Sequence, residues 1–363
     1  MSATGVRCTL MRGGTSKGAF FLADDLPADP TARDDLLLRI MGSPDPQQID
    51  GVGGAQPVTS KVAVVSASAA PDRDVDYLFL QVGVEAATVS DKQNCGNLLA
   101  AVGQFAVERG LVTAADGETS VRITMVNTDG LAVSRFATPG GRVDYTGTTA
   151  IAGVPGTAAP VALDLADTEG STCGSLLPTG RLVDEIDGLE VTCIDNGMPV
   201  VVVRAADLGR TGYESPAELG ADAALTERVQ RLRLLAGELM GLGDVSAASV
   251  PKTTLVAAPR AGGAISTRTF IPVHPHPAIG VLGAVSVLTA ALLDGAVGHE
   301  LLVRPAGEGP LRVEHPSGFL DVEVEFEPGA DPPRVRRSTV VRTARPLFDG
   351  TVFPRPCPPV RDH

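Results

Sequence analysis

Three short stretches put reactive side chains where a proton could be moved. Asp91-Lys92-Gln93-Asn94-Cys95-Gly96-Asn97 runs into the apolar, Ala-rich residues 98–107, which Arg109 and Gly110 close. That pattern reads as a helix with a stop signal, so a thiol and two small amides stand at a helix N-terminus. Unpaired N–H groups and the positive end of the helix dipole point there, and an anion is welcome. A thiol at that place ionises readily and reacts as thiolate, and a buried cysteine beside a capping asparagine fits the same residues equally well. In the second stretch, Thr59-Ser60-Lys61 leads into Val62-Ala63-Val64-Val65. A lysine at the mouth of so apolar a strand is either desolvated enough to act as a base or extended with its amine in water. In the third, Met11-Arg12-Gly13-Gly14-Thr15-Ser16-Lys17-Gly18 joins strand-like residues 6–10 and 19–22. Flexible backbone amides, two hydroxyls and two cations have the composition of an anion cradle. The order Ser-Lys-Gly and the strand flanks exclude a P-loop.

Bulk composition bears on what these groups could handle. The 363 residues allow two ordinary domains, and a hydrophobic content of 44% is that of a globular chain. A net charge of −13, no Trp and 4% aromatics argue against nucleic acid, whose phosphates need a basic face. The same charge repels an anionic substrate, which therefore needs local cations. Lysines point to them: among 30 Lys+Arg, only Lys17, Lys61, Lys92 and Lys252 are lysine, all in turn-like stretches. Lys, unlike Arg, can lose its proton when desolvated. The 5 cysteines, Cys8, Cys95, Cys173, Cys193 and Cys357, are odd in number and contain no CxxC pair, so neither a disulfide framework nor a zinc knuckle is indicated. There is no signal-type apolar run at the start, and residues 278–293, interrupted by Ser286 and Thr289, fall short of the roughly 20 a membrane span needs. A cytoplasmic protein away from membranes is expected.

The elements that must carry these residues occur twice. Residues 6–10, 19–22, 62–65 and 77–89 read as strands and 31–41 as a helix, before the apolar helix at 98–110. Strands at 121–127, 131–136 and 142–145 follow. In the second half, Val200-Val201-Val202-Val203, a helix over 221–241, Pro251-Lys252-Thr253-Thr254, a strand at 265–273 and a helix over 278–294 repeat that order. An α+β fold with two similar domains follows, each a β-sheet or barrel wrapped around a central apolar helix. The first is expected over 1–185, joined by the C-terminal segment 338–363, and the second over 186–337. Facing one another, they would set both helix N-termini at one inter-domain cleft.

At 11–18, 59–62 and 94–97 the motifs Met-Arg-Gly-Gly-Thr-Ser-Lys-Gly, Thr-Ser-Lys-Val and Asn-Cys-Gly-Asn resemble the PrpF family, with Arg342-Thr343-Ala344-Arg345 near the end in keeping. That family comprises 2-methylaconitate isomerases, methylitaconate Δ-isomerases and 4-oxalomesaconate tautomerases, on the diaminopimelate epimerase-like fold. The resemblance implies that Lys61 is the proton-abstracting base and Cys95 stands on the opposite side of the substrate. It implies that Asn94, Gly96 and Asn97 surround a bound carboxylate, that Thr15, Ser16 and Lys17 form the other polar wall, and that His276 and Ala278 line the far side. The epimerases of this fold carry a second cysteine at the other helix, absent here, which favours an unequal Lys/Cys pair over two matched thiols. Shorter family members, like this chain, are more often of the oxalomesaconate type.

The residues themselves fit moving a double bond along a polycarboxylate. Lys61 can take a proton, a helix N-terminus with Lys17 near can hold the resulting enolate-like anion, and Cys95 or protonated Lys61 can return a proton. No metal or redox cofactor is required, and His274 with His276 is the sole candidate metal pair, more readily read as a rigid Pro-flanked turn. The expected partner is a small anionic polycarboxylate; a homodimer is allowed without being required. A catalytically silent polycarboxylate-binding protein is the rival of another class.

Overall fold

The computed structural model describes residues 5–92, 94–166, 168–305 and 309–356, so Gln93 and Cys357 lie outside it. The first unit holds β1 (Val6–Gly13), β2 (Ser16–Leu22), α1 (Pro30–Met41), β3 (Lys61–Ala67), β4 (Val75–Val82), β5 (Val89–Ser90), α2 (Gly96–Glu108), β6 (Gly117–Met125) and β7 (Gly130–Thr138). After β8 (Pro160–Leu165) the second holds β9 (Asp184–Ile186), β10 (Leu189–Asp195), β11 (Pro199–Arg204), α3 (Pro216–Gly220), α4 (Ala223–Leu239), β12 (Lys252–Ala257), β13 (Ile265–Ile271), β14 (His274–Pro275), α5 (Val281–Leu292), β15 (Leu311–His315) and β16 (Gly318–Phe326). The last strand, β17 (Val335–Val352), is divided between them.

Contacts assign Met1–Leu163 and Arg342–His363 to the first unit and Asp164–Val341 to the second. By contacts the boundary falls earlier than the expected 185, and residues 170–173 are pinned to β10. Gly170 N–H donates to Asp195 O at 2.8 Å, and the Asp195 carboxylate accepts from the amides of Thr172 and Cys173, each at 2.8 Å.

Both units use one connectivity. In the first, β1/β2 pair antiparallel, β2/β3 parallel, β3/β4 antiparallel, β4/β6 parallel and β6/β7 antiparallel. In the second, β10/β11, β11/β12, β12/β13, β13/β15 and β15/β16 repeat that sequence of senses. The far end of β17 pairs with β1, and its near end with β16.

The layers follow from the residue pattern. In β3, Val62 and Val64 join Phe21, Leu37, Ile40, Met41 and Leu80 under α1. The alternate residues face the other way. Ala63 lies opposite Phe20, and the Phe20 ring meets the Phe105 ring of α2 at 5.5 Å, so Lys61, two residues before Ala63, is on the α2 side. With helices on both faces the strand is apolar almost throughout. Leu98 through Ala106 are all buried in α2, which touches β1, β2, β3, β4, β6 and β7. A helix apolar on every side belongs at a centre. Each buried Leu or Phe is worth roughly 1.5–3 kcal/mol, so packing rather than propensity sustains a helix containing Gly103. α5 is buried likewise from Gly283 to Ala291.

Local expectations needed two changes. Residues 77–89 are not one strand: Gly83 N–H donates to Thr88 O at 2.8 Å, folding β4 back into β5. The expected strand at 142–145 is irregular, since Pro139-Gly140-Gly141 turns the chain out of β7 with Gly140 and Gly141 at φ 63° and 71°. The helix expected over 221–241 is α4, which starts where Asp222 accepts from Leu225 N–H.

Candidate active site

The stretch at 11–18 is nearly all strand. Gly13 faces Ser16, which leaves Gly14-Thr15 as a two-residue turn in place of the longer one expected. Gly14 has φ +51°, and a Cβ on it would lie 2.2 Å from Asn97 Oδ1 and 2.7 Å from Arg342 Nη2. On Gly13 a Cβ would lie 2.4 Å from Asn97 O. The two glycines therefore let the hairpin tip press against the first turn of α2. There Thr15 N–H donates to Asn97 Oδ1 at 3.3 Å, and Gly14 N–H donates to Thr343 O at 2.9 Å. Thr15 is exposed and Ser16 buried. Lys17 sits opposite Arg12, and its Nζ would be 3.3 Å from a Cβ on Gly54, in the loop that leads to Lys61.

Lys61 opens β3 at 9% exposure. Its Nζ donates to Gln81 Oε1 at 2.8 Å and stands 4.9 Å from the centre of the Phe79 ring, with no carboxylate among the described residues in ion-pair range. Gln81 Nε2 donates to Pro57 O, Ser60 O and Val82 O, which turns its oxygen towards the lysine. Behind it, buried Gln48 orders the incoming loop: its Nε2 donates to Ser43 Oγ, and its Oε1 accepts from Ala55 N–H and Ser60 Oγ. A Cβ on Gly18 would lie 2.7 Å from both Lys61 O and Leu98 Cδ2, so the head of β3 and the start of α2 meet there.

Cys95 is the N-cap of α2, buried at 8% exposure, and its side chain makes no cap hydrogen bond. Tyr77, fully buried in β4, donates from its hydroxyl to Cys95 O at 3.3 Å. Burial, and then the nearby Cys95, hold the Tyr77 phenol well above its ordinary pKa, so it stays a neutral donor. Asn94 donates through Nδ2 to Thr128 Oγ1, while its buried Oδ1 has no partner. Gly96 is the first residue of the helix.

The sequence reading did not single out Arg342, Arg12 or Gln81 for this site. Arg342, at 5% exposure, donates to Asn97 Oδ1. Burial first, then Arg12, push its pKa down to about 10, and Cys95 acts in the opposite sense. The signal available was the one that marked Lys61: a cation inside an apolar strand, Thr339-Val340-Val341-Arg342. Arg12 Nη1 donates to Gly14 O and Thr343 O, each at 2.9 Å. Burial, and then Arg345, lower its pKa.

His276 and Ala278 belong to the second unit. His276 Nδ1 accepts from Ala278 N–H at 3.0 Å, which shapes the chain ahead of α5, whose N-cap is Gly280. Among the described residues no three His, Cys, Asp or Glu side chains are grouped to hold a metal ion. None of the described helices is long and apolar enough to cross a membrane.

Two units of one connectivity, each a sheet around an apolar helix, define the diaminopimelate epimerase-like class. The chain matches the family described as PrpF protein over residues 3–355, and it belongs to that family. It is 57% identical to the (4E)-oxalomesaconate Delta-isomerase of Novosphingobium sp. (strain KA1), covering 95% of this chain and 96% of that protein. It is 54% identical to the 4-oxalomesaconate tautomerase of Pseudomonas putida, covering 97% of each. The crystal structure of a methylitaconate-delta-isomerase superposes with a TM-score of 0.89 at 32% identity, over 98% of this chain and 96% of that one.

Proposed function

We propose that this chain is an isomerase that moves a carbon–carbon double bond along an unsaturated polycarboxylate, with 4-oxalomesaconate as its substrate. The observation that carries the reading is Lys61: a buried amine without an acidic partner, aimed by Gln81, in the unit whose central helix starts at Cys95. Lys61 takes a proton from the carbon flanked by electron-withdrawing groups, and the electron pair spreads into an enolate-like anion. General-base action of this kind contributes about 10²–10⁴-fold. Asn94, Gly96 and Asn97 hold a carboxylate at the positive end of α2, and Thr15, Ser16 and Lys17 supply the hairpin side, so negative charge forms where dipoles and a cation already point. A proton returns at the far carbon from Cys95 or from protonated Lys61. His276 and Ala278 are assigned to the substrate's other end. Both proton moves come from side chains, and the reaction is redox-neutral, so no cofactor is needed.

A second reading, 2-methylaconitate cis-trans isomerase or methylitaconate Δ-isomerase, draws on the superposition with a solved methylitaconate-delta-isomerase. The higher identity to the two oxalomesaconate enzymes favours the first. Incubation with each of these acids in deuterated buffer, followed by NMR, decides between them. Deuterium uptake and bond migration with oxalomesaconate alone is the expected result, and no exchange with any acid would sink the isomerase reading. A cytoplasmic location and a homodimer complete the proposal; light scattering that finds a monomer at assay concentration removes the dimer.

A further inference from the structure

Arg342 poses a problem that the fold does not answer. Its guanidinium is 5% exposed, yet among the described residues no carboxylate lies in ion-pair range. Its Nε is buried without a hydrogen-bond partner, and Nη2 donates to the neutral side chain of Asn97. Buried arginines are ordinarily paired, because a desolvated charge is costly when nothing compensates it. The neighbourhood adds positive charge instead. Arg12 is close enough to perturb Arg342, and Asn97 sits in the first turn of α2, where the helix dipole is positive. Gly14 lets the hairpin tip pack directly on this pair, since a Cβ there would press on both Arg342 and Asn97. In a chain of net charge −13, a buried arginine beside the half-buried Arg12, with no carboxylate of the described residues in ion-pair range, is a place prepared for an anion brought from outside.

We propose that Arg342 binds one carboxylate of the polycarboxylate substrate, together with the first turn of α2, and so sets which carbon faces Lys61. The assignment rests on the polycarboxylate reading above. A guanidinium suits the task because its planar fork meets both carboxylate oxygens at once, fixing orientation as well as charge. A substrate carboxylate would supply the counter-charge that the described residues do not.

The test uses full-length wild type, Arg342→Met and Arg342→Lys. Calorimetry with propane-1,2,3-tricarboxylate, an unreactive saturated acid, is compared with glutarate and methylsuccinate, which lack its central and one terminal carboxylate. Wild type is expected to discriminate against at least one truncated acid. Arg342→Met should bind the tricarboxylate about 100-fold more weakly, lose that discrimination and show a matching rise in KM, as truncating one side of a buried charge pair does. Arg342→Lys should recover part of the loss. The ligand-free Arg342→Met protein should melt no lower than wild type, since it sheds an uncompensated charge. If Arg342→Met keeps wild-type KM and wild-type discrimination, the assignment is overturned, and a lowered Tm in that case marks a structural arginine. If wild type binds the tricarboxylate through Arg342 but isomerises none of the candidate acids, the isomerase reading fails and the carboxylate site stands.

Discussion

The same scaffold is built twice here and equipped differently. Across the parallel pair at the heart of each unit, Gly18 faces Lys61 in the first and Val200 faces Lys252 in the second. Both lysines therefore open a third strand at matching positions. Lys61 is held by Gln81, whereas the Lys252 amine has no partner among the described residues and burial alone pushes its pKa down. A Cβ on Gly280 would lie 3.7 Å from Lys252 Nζ, so this lysine also stands near the start of its central helix. That helix is capped by Gly280, while α2 is capped by Cys95. The loop ahead of each third strand is ordered by one buried polar side chain. In the first unit it is Gln48, and in the second Arg233, which donates to Val245 O, Ala248 O, Val250 O and Ser246 O. Duplication thus accounts for where the groups sit, and divergence at a few positions accounts for which groups each copy carries there.

The contrast can be broken by four measurements. The largest effect is expected at the lysines. Lys61→Met should lower kcat about 10³-fold, within the range for loss of a general base, and Lys252→Met by about tenfold or less. Equal losses in steady-state assays would make the units equivalent partners. Next, Cys95→Ser should cost about 10²-fold in kcat, and substrate should protect Cys95 from alkylation as read by mass spectrometry. Labelling of Cys95 that ignores substrate would return it to a buried cap. Third, Gly18→Ala forces a side chain against Lys61 O and Leu98, and should cost about 1–3 kcal/mol in urea unfolding together with a loss of turnover. An unchanged midpoint would show that the close approach is dispensable. The smallest effect concerns pH. Folding disfavours the charged form of Lys252, so its cost is full below the depressed folded pKa and fades as pH rises towards 10.5, where the unfolded chain loses the same proton. Lys252→Met should therefore melt higher than wild type at pH 7, with the gap narrowing towards pH 10; a gap independent of pH would assign it to packing.

Much of this site was legible because its pieces are local. A cysteine before an apolar helix, a lysine before an apolar strand and a Gly-Gly pair between strands each announce themselves within ten residues or so. The turn expected over 11–18 is shorter because pairing between β1 and β2 continues to Gly13 and Ser16, and strand pairing overrides a glycine-rich composition. Arg342 was quoted as part of a motif without a role, since what gives it one is Asn97, 245 positions away. The domain boundary moved for a similar reason: Asp195 captures the backbone of 170–173 through hydrogen bonds that no periodicity announces.

The division of β17 also bears on how the protein is made. A ribosome delivers the chain from its N-terminus, at about 5–20 residues per second. The first unit nonetheless requires residues from Arg342 onward, since β1 pairs with β17 from Gly13 opposite Ala344 to Val6 opposite Val352. Every residue of the second unit has been polymerised by Val341. Chains truncated there and released from the ribosome should resist protease in the second unit and be cut in the first. The unit begun earliest is thus the later to be finished, and Arg342 arrives with the strand that finishes it. A partly made chain would carry Lys61 and Cys95 without Arg342, the cation that is proposed to steady their substrate.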